Sequence, residues 1–438
     1  MNDMTEAEAR ALLEKVLRMS RADHCEANLG GSRGGNLRYA RNTVTTAGAR
    51  ENMSLVVESS YGKRSGTATA NEFSDAAIER AVRRSEELAQ LAPENPESMP
   101  PLAQQEYLPV KAHYDSTAAI TPEWRADGAA ASIAGAKAQD CTVAGFIENS
   151  SGWSAKLNSA GLFAWHRSTS AELSITVRSN DGTGSGYVSR DVNDVSRMDV
   201  AAASATALDK AVASRNPQAI EPGKYTVILE PEAAVELIRN MMFNFDARSA
   251  EEGRSFLARP GGGTRLGEKL VDERVTIVSD PQHPDVPASP WVGDGRARGK
   301  TKWIENGVVR NLSYSRFWAD KQGLAATPFP GNLIMSGGDA SLEELIAGTS
   351  RGILVTRLWY IRTVDPQTLL YTGLTRDGTF FIENGRITRA VKNFRFNESP
   401  VIMLNNVDAL GRPERIQGNM IPPMRIRDFT FTSLSDAV

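Results

Sequence analysis

Metal chemistry needs several His, Cys, Asp or Glu side chains at short range, usually with two of them one helical turn apart. The four histidines of this chain, His24, His113, His166 and His283, are scattered, and none shares a helical turn with another. Its only cysteines, Cys25 and Cys141, are too few for a disulfide framework or a Cys-rich zinc site and are expected as buried free thiols. A serine nucleophile calls for a G-x-S-x-G elbow with a His and an acid, and Gly184-Ser185-Gly186 lacks the flanking spacing. The glycine-rich runs Gly182–Gly186 and Gly261-Gly262-Gly263-Thr264 lack both G-x-G-x-x-G and a G-K-S/T ending, so they read as turns rather than phosphate cradles.

Three other places hold chemistry-bearing residues. Asp365, before Pro366, and Glu398, in Asn397-Glu398-Ser399-Pro400, could contribute to a carboxylate pair, although Asp-Pro is a common turn opener and structural roles are favoured for both. In Arg357-Leu358-Trp359-Tyr360-Ile361-Arg362, strand alternation places Leu358, Tyr360 and Arg362 on one face and Arg357, Trp359 and Ile361 on the other. Aromatics beside Arg suit an interface or a peptide-binding surface equally with a buried strand. The third place is Tyr225–Ala247, a short apolar strand breaking at Glu230-Pro231 into a helix. There Ala233, Ala234, Leu237, Ile238, Met241, Met242 and Phe245 recur at three- and four-residue steps, leaving Glu236, Arg239, Asn240, Asn244 and Asp246 on the polar side.

The elements that position these residues divide into two halves, 1–220 and 221–438, at Asn216-Pro217-Gln218-Ala219-Ile220-Glu221-Pro222-Gly223. The first half opens with the capping box Thr5-x-x-Glu8 and a helix to about residue 20. Strand-like runs at 25–29, 36–46, 53–59 and 62–70 and a helix from Ser74 follow. After a Pro- and Glu-rich connector over 92–109 the same order returns, and Gly182–Gly186 falls opposite Gly62–Gly66. An internal repeat of 5–91 and 121–213 is inferred. The second half is rich in strands, with two Asn-Gly hairpins at Asn306-Gly307 and Asn384-Gly385 and a helix capped by Ser341. The fold class expected is α+β: an N-terminal domain of helix and antiparallel-sheet units, then a mostly antiparallel, barrel-like or sandwich domain with a few helices.

Composition bounds the function. Hydrophobic residues at 41% and charged residues at 24% are ordinary for a globular protein. A net charge of −3 and the lack of a Lys/Arg stripe interleaved with aromatics disfavour nucleic-acid binding. No apolar run reaches the roughly 18 residues of a membrane span, and the acidic start has no signal-peptide pattern, so a cytoplasmic location is expected.

Taken together, the strand-helix Val227–Ala234 and the late block resemble the TldD/PmbA (TldE) family, also called modulators of DNA gyrase. That block comprises Gly352-Ile353-Leu354-Val355-Thr356, Val364-Asp365-Pro366-Gln367-Thr368 and Phe381-Ile382-Glu383-Asn384-Gly385. The TldD branch carries H-E-x-x-x-H on the helix after the opening strand, with a later Cys completing a zinc site. The aligned positions here are Arg239, Asn240 and Asn244, and no Cys follows Cys141. The resemblance therefore implies the PmbA/TldE branch: a subunit with no cofactor of its own, pairing with a TldD-like, zinc-bearing subunit to act on peptides or unfolded segments. Two alternatives stay open, a homodimer that grips extended peptides without protease activity and a peptidase with a non-standard site at Asp365 and Glu398.

Overall fold

The computed structural model describes residues 4–435. Helix α1 (Glu6–Met19) is opened by the expected capping box, with Thr5 and Glu8 each accepting from the other's backbone N–H. Strands β1 (His24–Ala40), β2 (Thr43–Tyr61) and β3 (Arg64–Ala70) and helix α2 (Asp75–Leu91) follow. After a stretch without regular structure come a single turn, α3 (Asp115–Ala118), helix α4 (Pro122–Ala138), strands β4 (Cys141–Asn158), β5 (Phe163–Ser179) and β6 (Ser185–Val192), and helix α5 (Val200–Ala213). All six strands form one antiparallel sheet in the order β3-β2-β1-β4-β5-β6.

One face of this sheet is covered by helices. Cys25, Ala27, Leu29, Leu37 and Tyr39 occupy alternate positions of β1 and so share a face. The first three pack with α1 and α2, the last two with α4 and α5. Both cysteines are buried free thiols in these two clusters, and burial pushes Cys25 up to about 11. Leu91, the last residue of α2, is 76% exposed.

The run expected at 25–29 and the first part of that at 36–46 are one strand, β1, and the rest of the second run is a turn and the start of β2. Gly30, Gly31, Gly34 and Gly35 do not break β1. A Cβ at Gly31 would lie 2.6 Å from the Trp153 indole, and one at Gly35 would strike the Arg125 guanidinium, so the missing side chains make room for neighbours. The chain turns at Arg41-Asn42, both left-handed, and Asn42 then hydrogen-bonds Cys141 and Val143 on β4.

In the second half, β7 (Lys224–Leu229) leads into α6 (Pro231–Phe243) and α7 (Ala247–Glu251). Short strands β8 (Ile277–Ser279), β9 (Thr301–Glu305), β10 (Val308–Val309) and β11 (Ile334–Met335) alternate with α8 (Arg316–Gln322) and α9 (Leu342–Ala347). Then come β12 (Arg351–Val355), β13 (Leu358–Asp365), β14 (Leu370–Thr375), β15 (Thr379–Glu383), β16 (Arg386–Ala390), β17 (Asn393–Glu398), α10 (Pro400–Asn405), β18 (Val407–Leu410), β19 (Glu414–Ile416), β20 (Asn419–Ile421) and β21 (Met424–Ser435). They make a six-stranded sheet, β10-β9-β8-β11-β20-β19, and a nine-stranded one, β13-β14-β17-β21-β7-β12-β15-β16 with β18 beside β21. Both Asn-Gly pairs are two-residue hairpin turns with positive φ at each residue, as their dipeptides predict.

Helix α6 lies in the core shared by these two sheets. Every residue expected on its apolar face is at most 1% exposed, and so is Val235. Each Leu, Ile, Met or Phe buried this way contributes roughly 1.5–3 kcal/mol. No helix among the described residues is long and apolar enough to cross a membrane.

Gly66 and Gly186 each let a helix approach its sheet. A Cβ at Gly66 would strike the α2 backbone, and one at Gly186 the α5 backbone. Substituting either with Ala is expected to cost about 1–3 kcal/mol, read as a lower urea midpoint. Gly48→Ala, which meets only Asn36 at 3.8 Å, should leave the midpoint unchanged.

Candidate functional site

The helix-free face of the first sheet looks toward the second half across a cleft of about 580 Å³. Its floor is two rows of side chains set by strand register, Phe146-Ser174-Ser189 and Glu148-Glu172-Asp191. The second row places three carboxylates side by side. Burial raises Glu172 above the usual carboxylate range, and Glu148 and Asp191 push it further. The opposite wall is the β19–β20 hairpin, whose Arg415 bonds Asp191 and Asn193, both at 2.9 Å.

The polar stripe of α6 reaches the same hairpin. Glu232 and Arg239 are seven residues apart and share a helix face. Arg239 Nη1 donates to Gln417 Oε1 at 2.7 Å, and Gln417 Nε2 lies 3.5 Å from Glu232 Oε1. Gln417-Gly418 is the hairpin turn, with φ of 48° and 71°, and the Gly418 N–H donates to Asp191 at 2.9 Å. Glu232 accepts a hydrogen bond from Ser189 of β6. Burial raises its pKa, opposed by that bond and by Arg357, Lys210 and Arg190. At the helix start Glu230 pairs with Lys210 of α5 at 2.6 Å.

A second cleft of about 510 Å³ adjoins the first through Pro287, Gln417 and Gly418. Arg239, Met242, Phe243, Arg298 and Phe329 line it, with Phe243 and Phe329 stacked at 5.6 Å and 7°. Asn240 and Asn244 do not join Arg239 as a constellation. Asn244 turns back on its helix, its Nδ2 donating to the Asn240 carbonyl at 2.8 Å. An arginine has no lone pair for a metal, and no group of three or more His, Cys, Asp or Glu able to hold one occurs among the described residues. These residues do not fit a zinc ion.

Asp365 and Glu398 are each held by their own neighbours. Asp365 accepts from the Gln367 N–H at 2.9 Å and from Thr368 at 2.7 Å, which holds its carboxyl below the ordinary range. Glu398 is 3% exposed and accepts from the Ser399 and Thr430 N–H groups, while burial raises its pKa. Arg357 stands 3.6 Å over the Tyr187 ring and pairs with the buried Asp377 at 2.7 Å. Asp377 also accepts from Ser185 of β6, tying the halves together.

The alternation expected over 357–362 fails. Tyr360 has φ of 56° and the register slips between Trp359 and Arg362, so Trp359 and Tyr360 both point outward while Leu358 is buried. The strand pattern predicts one side chain per face and carries no signal for a bulge. Gln417, Glu232, Asp377 and Phe329 are likewise missed as site residues, although Gln417-Gly418 and Asp377-Gly378 are turn dipeptides whose carbonyl-bearing first residue is placed at a tip.

One antiparallel sheet, two mixed ones and a helix facing a cleft between the two halves define a mixed α+β protein with the cleft as its candidate site. Sequence profiles of the PmbA/TldA metallopeptidase match almost throughout: domain 1 over residues 25–89, the central domain over 116–215 and the C-terminal domain over 222–433. The chain belongs to the PmbA/TldD metallopeptidase family. Among curated relatives it is 25% identical over 287 residues to a protein named metalloprotease from Methanothermobacter thermautotrophicus, covering 60% of this chain and 61% of the relative. A metalloprotease from Archaeoglobus fulgidus is 27% identical over 158 residues, or 33% and 36% of the two chains. The match thus spans less than two thirds of either relative's length. The fold is that of TldE from Thermococcus kodakarensis (18% identity, TM-score 0.87, 97% and 99% coverage). It is equally that of a Thermotoga maritima protein described as a candidate modulator of a DNA gyrase (16%, 0.87, 97% and 100%).

The raised pKa of Glu232 has a definite sign. The folded state holds that proton more tightly than the unfolded chain, so its contribution is full below the ordinary carboxylate pKa and is lost as pH rises through the folded value. Glu232→Gln is expected to match the parent at about pH 4 and to be at least as stable at neutral pH, by urea unfolding across pH. Destabilisation at neutral pH would show that the charged form is required.

Proposed function

We propose that this chain is the metal-free member of a two-subunit, cytoplasmic peptidase of its family, pairing with a TldD-like subunit that carries the zinc and acting on peptides or unfolded segments. The observation that carries this reading is the chemistry at the positions aligned with H-E-x-x-x-H. Arg239 is engaged with Gln417, Asn244 with its own helix, and the Asn240 amide cannot act as a general base. The adjoining clefts then serve as walls of a chamber whose reactive metal belongs to the other subunit. The division at residues 220/221 and the origin of 5–91 and 121–213 by duplication belong to the same proposal. They are supported by a first sheet drawn only from residues 24–192 and by a helix, three-strand, helix order that occurs twice. A barrel-like closure of the second half belongs with them. A homodimeric peptide-binding protein is the second reading, favoured by the outward-facing Trp359 and Tyr360.

The test is co-purification with a homologue bearing H-E-x-x-x-H. A stable complex is expected to cleave an unfolded peptide, to contain zinc in the partner's stoichiometry, and to lose activity when the partner's motif Glu is replaced by Gln. The isolated chain should hold no stoichiometric zinc. Zinc bound tightly to this chain alone, or a homologue that works unaided and never associates, would overturn the proposal.

A further inference from the structure

Strand β13 is an edge strand of the nine-stranded sheet, and its outward side chains form a stack that the cleft does not use. Trp359 is 38% and Tyr360 55% exposed, with ring centroids 5.4 Å apart. The Arg376 guanidinium lies 4.0 Å over the indole and that of Arg362 lies 4.2 Å over the phenol. Inward, Leu358 and Ile361 pack into the core that holds α6. Tyr360 is held at positive φ, a conformation that persists for an aromatic residue only where its surroundings impose it.

The charge around this stack is one-sided. Residues 351–398 contain eight Lys/Arg and four Asp/Glu, in a chain whose net charge is −3. All four acids are engaged: Asp365 by Gln367 and Thr368, Asp377 by Arg357, Glu383 by Arg389, and Glu398 by two backbone N–H groups. Arg362 and Arg395 are exposed and have no carboxylate within ion-pair distance among the described residues. They are neighbours, because Thr372 is the strand partner of Arg362 and lies 3.4 Å from Arg395 Nη1.

Each ring already has a guanidinium on a face and the other ring beside it, which leaves little open face for a nucleobase. Two register slips, between Trp359 and Arg362 and between Thr363 and Asp365, interrupt the edge and oppose simple strand addition. What remains is a guanidinium fork held in place by stacking, a second one beside it, and electropositive ring edges. Those groups select carboxylates.

We infer that the outer side of β13 is a docking surface for an acidic, extended polypeptide segment. Its carboxylates pair with Arg362 and Arg395, and its apolar side chains rest against Tyr360 and the exposed Val364. Side chains on one face of an extended segment recur every second residue, so alternate Glu or Asp suits the two guanidinium groups. The inference does not depend on the two-subunit reading.

The experiment uses the full chain and a fluorescein-labelled synthetic peptide of about 15 residues with Glu at alternate positions and Thr or Val between, read by anisotropy at low salt. Its competitors are the same peptide with Lys for Glu and an oligo-dT strand of equal length. The acidic peptide is expected to bind at least about tenfold tighter than the basic one, and more weakly as salt rises. Arg362→Glu and, independently, Arg395→Glu should each weaken it about tenfold or more. Both side chains are exposed, so the thermal midpoint should not move and loss of binding is not loss of fold. Equal affinity for the two peptides, or undiminished binding by both variants, overturns the inference. Tighter binding of oligo-dT that Arg362→Glu abolishes also overturns it and assigns the surface to nucleic acid. Failure to associate with a zinc-bearing homologue leaves these expectations standing, and loss of peptide binding leaves the two-subunit reading standing.

Discussion

Helix α6 is caught between two sheets, and only a narrow stripe of it can face the cleft. Its strand, β7, lies between β12 and β21, so the helix that leaves it must cross the sheet's inner face. Val227 and Leu229 point into that core while Ile228 points to the opposite cluster with Leu345, Leu354 and Phe380. The sheet is buried on both sides, and α6 has no freedom to roll without exposing Leu237 or Met241. Whatever stands at 232 and 239 is thereby aimed at the hairpin carrying Gln417. Residue 240, one step round the helix, and residue 244, at its C-terminal cap, are aimed elsewhere.

The two halves meet through charge rather than through a shared apolar core. Glu230 with Lys210, Glu232 with Ser189, Asp377 with Ser185, and Asp191 with Arg415 all cross the junction. Removing such groups from water costs free energy that the pairing offsets only in good geometry, so these contacts fix relative position more than they add stability. Asp377 shows the consequence. It is 1% exposed, sits at positive φ before Gly378, and takes partners from both halves, so a small displacement of either half would leave a buried carboxylate short of a partner.

What could be read from the residues follows from how local the causes are. The capping boxes, both Asn-Gly turns and the entire apolar face of α6 depend on spacings of a few residues, and each forms as the spacing predicts. The glycines of β1 mislead, because their reason is tertiary: the Trp153 indole and the Arg125 guanidinium fill the space that side chains would occupy. The bulge at Tyr360 is hidden for the same kind of reason. The cleft is the least legible part, since its floor comes from β4–β6 and its walls from residues near 190, 240, 330 and 417. Only register and domain contact bring those together.

Glu232 shows how the junction and the cleft are one construction. The cations that oppose its desolvation come from three elements, Lys210 on α5, Arg190 on β6 and Arg357 just before β13. Arg357 is also the residue that leans on Tyr187 and holds Asp377, and it is followed directly by the strand bearing Trp359 and Tyr360. The charge state of the cleft wall, the seat of the first half on the second, and the start of the exposed stack therefore share one guanidinium. A shift of β13 along its axis would move Arg357 and so change the field at Glu232.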